Sequence, residues 1–208
     1  SRVSAQSVLE NVDPDKYDVR MIGITKSGEW LPYKGDIRLI GTGAWEETAR
    51  EQRRRISREP ASIALPAMGA SSCLGLLSSG AGDVSAMPVD VVFPVLHGPN
   101  GEDGTVQGVF QLAGVPYVGC GLLASAAGMD KSFSKIVFAS AGIPQARFLL
   151  VLRSEIQGGM TVLERRVTDE LGYPCFVKPA NAGSSVGVSK VKVPQDLEAA
   201  LREAAKYD

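Results

Sequence analysis

The chain has 208 residues and a mass of 22.0 kDa, which allows one or two domains with a true apolar core. Lys and Arg number 22 against 23 Asp and Glu, a net charge of −1, which excludes the strongly basic footprint of a nucleic-acid binder and a polybasic membrane-surface segment. No apolar run approaches the roughly 18–20 residues of a spanning helix. Three widely spaced cysteines (Cys73, Cys120, Cys175) and a single His read as reduced thiols, not as a disulfide framework or a His-rich metal site. The chain opens on Ser1 without a signal-peptide pattern, which reads as a start inside a longer protein.

Ala5, Val8, Leu9 and Val12 share one helical face, so a helix is expected over 4–12. Val19 to Ile24 reads as a strand. Residues 26–42 are turn-rich, with Trp30, Pro32, Gly35 and Gly41. A charged helix is expected over 44–56, and Arg53-Arg54-Arg55 reads as its solvated face, not as a nucleic-acid patch. Residues 67–86 are small and rich in Gly and Ser, and read as loop. Asp90 to Leu96 is a continuous apolar run, as in a strand buried on both faces of a parallel sheet. Thr105 begins a helix with Val106, Val109, Phe110 and Ala113 on one face, closed by Gly114. Pro116 to Gly119 reads as a short strand. Alternating strand and helix indicate a Rossmann-like α/β domain.

A second unit is expected from Leu122. A helix over 129–141 stops at Gly142. Then come a strand Ala146–Leu152, a charged helix over 162–171, strand Cys175–Val177, a Gly/Ser loop over 181–187, strand Val188–Val193 and a helix over 196–206. That order is α+β, with an antiparallel hairpin around the loop.

Three motif matches fail on context. Gly119-Cys120-Gly121-Leu122-Leu123-Ala124 fits GxGxxG/A, but no acidic residue follows near position 144 to hold a ribose. Gly183-Ser184-Ser185-Val186-Gly187 fits GxSxG, but a β-rich segment follows and the one His precedes the serine. Gly128-Met129-Asp130-Lys131-Ser132 lacks the Gly that a P-loop needs before its lysine.

One constellation survives. Lys178 ends an apolar strand, and five residues later comes the Gly183–Gly187 loop. A cation, backbone amides in a Gly loop and serine hydroxyls together suit an oxyanion. A lysine 4 Å from a phosphate oxygen gains about 4 kcal/mol per unit charge at an effective dielectric of 20. Lys131 stands in the first turn of its helix. His97 ends a strand before a Gly-rich loop, where ligands of open α/β sheets bind. Glu102 and Asp103 precede a helix, which makes capping their default role.

Residues 93–135 (FPVLHGPNGEDGTVQGVFQLAGVPYVGCGLLASAAGMDKSFSK) and 173–191 (YPCFVKPANAGSSVGVSKV) strongly resemble the D-alanine–D-alanine ligases. SRVSAQSVL at 1–9 resembles the helix after that family's Glu-His/Arg-x-Val-Ser motif. The resemblance implies an α/β fold: a Rossmann-like, substrate-binding domain over 1–121, then an α+β ATP-grasp subdomain over 122–208. It implies ATP-dependent joining of two D-alanines through a D-alanyl phosphate, with Mg²⁺, for peptidoglycan precursor synthesis. It implies a cytoplasmic homodimer formed through the N-terminal domain.

Residue by residue, Lys131 and Lys178 match the lysines that hold the ATP phosphates. Gly183, Ser185, Val186 and Gly187 match the loop over them. Phe176 matches a position near the adenine. Ser184 matches the serine of a Glu–Ser–Tyr network that positions the second substrate, and His97 the histidine near the first D-alanine. The family's network Glu is expected before Ser1. Its tyrosine loop, Mg²⁺-binding carboxylates and Asn, oxyanion Arg and C-terminal ATP-grasp domain are expected beyond Asp208. These 208 residues alone are therefore expected to be inactive. Ligation of D-Ala to D-lactate or D-Ser, or a non-catalytic nucleotide-binding fragment, are the alternatives.

Overall fold

The computed structural model describes the backbone of residues 1–56, 61–64, 73–78 and 84–208, and the side chains of 1–55 and 89–208. Its contacts divide the chain into two units. The first comprises Ser1–Leu96 with Gln107–Gly119, the second His97–Val106 with Cys120–Asp208.

In the first unit, α1 (Arg2–Asn11) leads to an antiparallel hairpin of β1 (Met21–Ile24) and β2 (Trp30–Tyr33), followed by α2 (Arg38–Thr42) and α3 (Trp45–Ile56). Its register pairs Gly23 with Leu31. Leu31, Tyr33, Trp45 and Ala49 form a small buried core. The Tyr33 and Trp45 rings meet edge-on at 6.3 Å, the geometry their quadrupoles favour. Gly23 makes this possible: a Cβ there would stand 2.1 Å from the Trp45 ring. On α3, Arg50 bonds Glu46 and Glu29, at 3.0 and 2.5 Å, and Arg53 stands 3.9 Å from Glu29. Of the basic run, Arg53 is thus ion-paired, while Arg54 and Arg55 stay exposed.

β2 and α2 occupy the stretch read as turns. Trp30 and Pro32 are turn signals by composition, yet Leu31 and Tyr33 alternate with them and turn inward. The 67–86 stretch, read as loop, also carries strands where it is described. β3 (Ala61–Ala64), β4 (Cys73–Ser78) and β5 (Val84–Pro88) form an antiparallel sheet. Main-chain ladders do not need large side chains; the rest of that stretch lies outside the described residues.

Asp90–Leu96 does not lie buried on both faces. It makes one parallel bridge, Val92 to Tyr117, closed by the Val92 amide to the Pro116 carbonyl and the Val118 amide to the Val92 carbonyl, each 2.8 Å. With a strand partner on one side only among the described residues, Val91 and Phe93 stay exposed. Helix α4 (Thr105–Leu112) follows the expected face, with Val106, Phe110 and Ala113 buried.

The second unit contains α5 (Leu122–Met129), α6 (Lys131–Ser140), α7 (Arg153–Gly158), α8 (Met160–Glu170), the antiparallel pair β6 (Cys175–Val177) and β7 (Ser189–Val191), a 3₁₀ turn at Pro194–Asp196, and α9 (Leu197–Ala204). Ile156, Leu163, Val167, Val191, Leu197, Ala200 and Leu201 form its core. The Asp130 carboxylate caps α6, accepting from the Ser132 and Phe133 amides. The Ser132 hydroxyl bonds it as well, and these bonds hold its pKa below the usual value.

One expectation fails in this unit. Residues 146–152 form no strand among the described residues. Leu149 and Val151 pack on the core, but the segment is held by side chains instead of a ladder. Gln145 donates to the Lys135 carbonyl, Arg147 to those of Glu170 and Leu171, and Arg166 to that of Leu150. The apolar residues Phe133, Ile136 and Val137 of α6 are exposed.

Leu197 is 1% exposed. Leu197→Ala is therefore expected to lower unfolding free energy by about 2–5 kcal/mol, the range for a large-to-small change in a packed core, measurable by equilibrium urea denaturation. A loss under about 0.5 kcal/mol would mean that α9 does not anchor this core.

Candidate functional site

The β6–β7 hairpin builds the site. Alternation sends Cys175, Val177 and Val191 inward and leaves Phe176, Lys178 and Lys190 exposed. The chain then turns through residues 179–188. The Val186 amide donates to the Gly183 carbonyl at 3.1 Å, and the Val188 amide to that of Ser185 at 3.4 Å. Ser184 and Ser185 both adopt left-handed backbone angles, φ 51° and 59°, a conformation that costs about 1–2 kcal/mol per non-glycine residue. Such strain persists where the surroundings impose it, and it clusters at ligand-binding loops. Among the described residues, the amides and hydroxyls of these two serines have no hydrogen-bond partner. Four donors are thereby presented on an exposed turn.

Gly187 closes the loop at φ 67°, and a Cβ there would stand 2.6 Å from the Tyr207 ring and 2.8 Å from Pro179. Asn181 is fixed from the same side, its amide donating to the Asp208 carboxylate at 2.8 Å.

Lys131 grips the loop's entry. Its amide donates to the Ala180 carbonyl at 3.0 Å. Its ammonium donates to the same carbonyl at 3.3 Å and to that of Ala182 at 2.5 Å. Burial holds its pKa below the ordinary lysine value, and the positive charge of Lys178 pushes it down further. The two lysines therefore share one electrostatic neighbourhood. Lys178 is exposed, its ammonium 6.0 Å from the Phe176 ring centroid, and it has no carboxylate partner among the described residues. Two cations, four free donors and an exposed aromatic ring suit a phosphate-bearing ligand with a flat group attached.

His97 and Ser184 complete the sequence-derived set. His97 lies in a separate turn of this unit, half exposed, with Nδ1 3.6 Å from Glu102. Glu102 also accepts from the Gly98 amide at 2.6 Å, so it closes the His97 turn and does not cap a helix. Capping falls to Asp103, which accepts from the amides of Asn100 and Thr105. Burial raises the Asp103 pKa, but these bonds together outweigh it and leave the carboxyl below its usual value. Sequence reasoning missed Lys190, which is paired directly with Phe176; the hairpin register, counted back from the loop, carries that signal. Among the described residues no group of three or more His, Cys, Asp or Glu side chains could hold a metal ion, and no helix is long and apolar enough to cross a membrane.

Comparison with known proteins decides the lineage. Residues 1–120 match the family model described as D-ala D-ala ligase N-terminus, and residues 137–208 match that of the D-ala D-ala ligase C-terminus. The chain belongs to the D-alanine–D-alanine ligase family. Over 208 residues it is 50% identical to the D-alanine–D-alanine ligase of Acetivibrio thermocellus, covering 100% of this chain and 55% of the relative. The ligase of Ruminiclostridium cellulolyticum is 49% identical, with 100% and 54% covered. Among solved structures, the VanG D-Ala:D-Ser ligase of Enterococcus faecalis superposes with a TM-score of 0.78 at 38% identity, covering 98% of this chain and 54% of that one. The ligase of Coxiella burnetii gives 0.77 at 29% identity, covering 99% and 56%. The α/β, ATP-grasp ligase fold follows from these likenesses. The chain spans about half the length of the ligases it matches.

The coupling of the two lysines is directly testable. Removing the Lys178 charge relieves a like-charge repulsion that disfavours protonation. Lys178→Met is therefore expected to raise the Lys131 pKa, while burial keeps it below the ordinary lysine value. Side-chain NMR titration measures this. An unchanged or lowered Lys131 pKa would show that the two ammonium groups do not interact.

Proposed function

We propose that the protein containing this chain joins two D-alanines, using ATP, to form D-alanyl-D-alanine for a peptidoglycan precursor. The observation that carries this reading is the Lys131–Lys178 pair beside a strained Ser184-Ser185 loop with unpaired donors, in a chain of this ligase family. In the reaction, the carboxylate of the first D-alanine attacks the γ-phosphorus of ATP, breaking its bond to the bridging oxygen. ADP leaves and an acyl phosphate forms. The amine of the second D-alanine attacks the acyl carbon, and collapse of the tetrahedral intermediate releases phosphate.

Phosphoryl transfer needs positioning and charge neutralisation more than covalent help from the protein. Lys131, Lys178, Gly183, Ser185, Val186 and Gly187 are assigned to the phosphates. Phe176 is assigned to the adenine, His97 to the first D-alanine and Ser184 to orientation of the second. The domain reading of 1–121 as the substrate-binding half and 122–208 as the nucleotide half goes with these roles. Mg²⁺ would neutralise phosphate charge, but the described residues supply no ligand set for it. The family likeness also supports a cytoplasmic homodimer.

A second reading has D-serine as the acceptor, since one of the structural neighbours is named as a D-Ala:D-Ser ligase. Phosphate release by the full-length gene product with ATP, Mg²⁺ and D-alanine, with and without D-serine, separates the two. The first reading predicts turnover on D-alanine alone. Lys178→Ala is expected to weaken ATP binding at least about tenfold, or 1.4 kcal/mol. ATP affinity equal to wild type would remove Lys178 from the phosphate site.

A further inference from the structure

The exposed face of the β6–β7 hairpin holds one charged residue to which the phosphate assignment gives no task. Phe176 and Lys190 are Cα partners across the antiparallel pair, so both side chains leave the sheet on the same face. The opposite face, with Cys175, Val177 and Val191, packs on the core. Phe176 is 61% exposed. The Lys190 ammonium lies 5.8 Å from its ring centroid, and that of Lys178 lies 6.0 Å from it. Both distances fall within the roughly 6 Å reach of a cation–π contact. Like Lys178, Lys190 has no carboxylate partner among the described residues. A large apolar ring left in water between two uncompensated cations is a costly surface for a protein that binds nothing there.

The strand register separates the two lysines. Lys178 stands two residues beyond Phe176 toward the loop, about 6.6 Å further along the strand. Lys190 is level with Phe176 itself. A ligand whose phosphates lie against the Ser184-Ser185 loop and Lys178 therefore brings its other end to Phe176 and Lys190.

We propose that Lys190 is a further nucleotide-binding residue, one that holds the base end of the ligand and not its phosphates. This rests on the nucleotide reading given above. The Phe176 ring offers a π-face for stacking. The Lys190 ammonium, held beside that ring, donates to an acceptor nitrogen at the edge of the stacked heterocycle. The chemistry selects a flat aromatic base with such acceptors, as a purine has.

The test is calorimetric titration of the full-length gene product with ATP and, separately, with inorganic tripolyphosphate. Lys190→Met is expected to weaken ATP binding about three- to tenfold, the scale of one hydrogen bond. It should leave tripolyphosphate affinity within about twofold of wild type. Lys190→Arg, which keeps the cation, should retain ATP affinity within about twofold and controls for folding of the hairpin. ATP affinity unchanged in Lys190→Met would overturn the proposal and leave the phosphate site standing. Equal weakening for ATP and tripolyphosphate would also overturn it, since Lys190 would then act on the phosphates. Wild-type protein that binds tripolyphosphate but gains nothing from the base would do the same. Wild-type protein that binds neither ligand would overturn the nucleotide reading as well.

Discussion

One ammonium group ties the second unit together at its site. Lys131 sits where α6 begins, and its side chain reaches across to two alternate carbonyls of the loop, those of Ala180 and Ala182. Half-buried in this way, the cation fixes the path of the chain as it leaves β6, and with it the position of Ser184 and Ser185. The same contact explains why the loop tolerates two left-handed serines: both ends are over-determined. Lys131 and Asn181 hold the entry, while Gly187 against Tyr207 and Pro179 holds the exit.

The consequence is a site built with its charge in place before any ligand arrives. The lowered affinity of Lys131 for its proton reports the burial and the nearby Lys178 charge. Holding two cations together is unfavourable alone and becomes favourable when a polyanion lies between or beside them. Pre-positioned donors of this kind need little reorganisation when a polyanion binds. The rest of the second unit serves this arrangement. The core of α7, α8 and α9 supports one face of the β6–β7 hairpin and leaves the other exposed.

The local elements that carry the candidate site were more legible in the sequence than strand partners were. CFVKP followed by a Gly/Ser run states a strand, a cation and a turn within thirteen residues, Cys175 to Gly187, and each signal is local. The glycine stops at Gly114 and Gly142, both with positive φ, were equally local. Strand partners are not local, and there the reading failed. Ala146–Leu152 has strand-like residues, but Arg147 and Arg166 side chains bond its surroundings where a ladder was expected. Trp30–Tyr33 looked like a turn, because Pro32 masks a strand whose buried members are its alternate residues. The apolar character of 90–96 suggested burial on both faces, yet one parallel bridge is all that pairs it among the described residues. Lys190 escaped notice for the same reason: its meaning lies in its partner across the hairpin, not in its neighbours along the chain.

The central claim is that the Ser184-Ser185 loop, Lys131 and Lys178 form the phosphate-binding part of a nucleotide site. A crystal structure of the full-length gene product with a non-hydrolysable ATP analogue tests it most directly. The account predicts phosphate oxygens within hydrogen-bond distance of the loop amides and the Lys178 ammonium, with the base over Phe176. Density for the analogue elsewhere, with both serines still unpartnered, would contradict it.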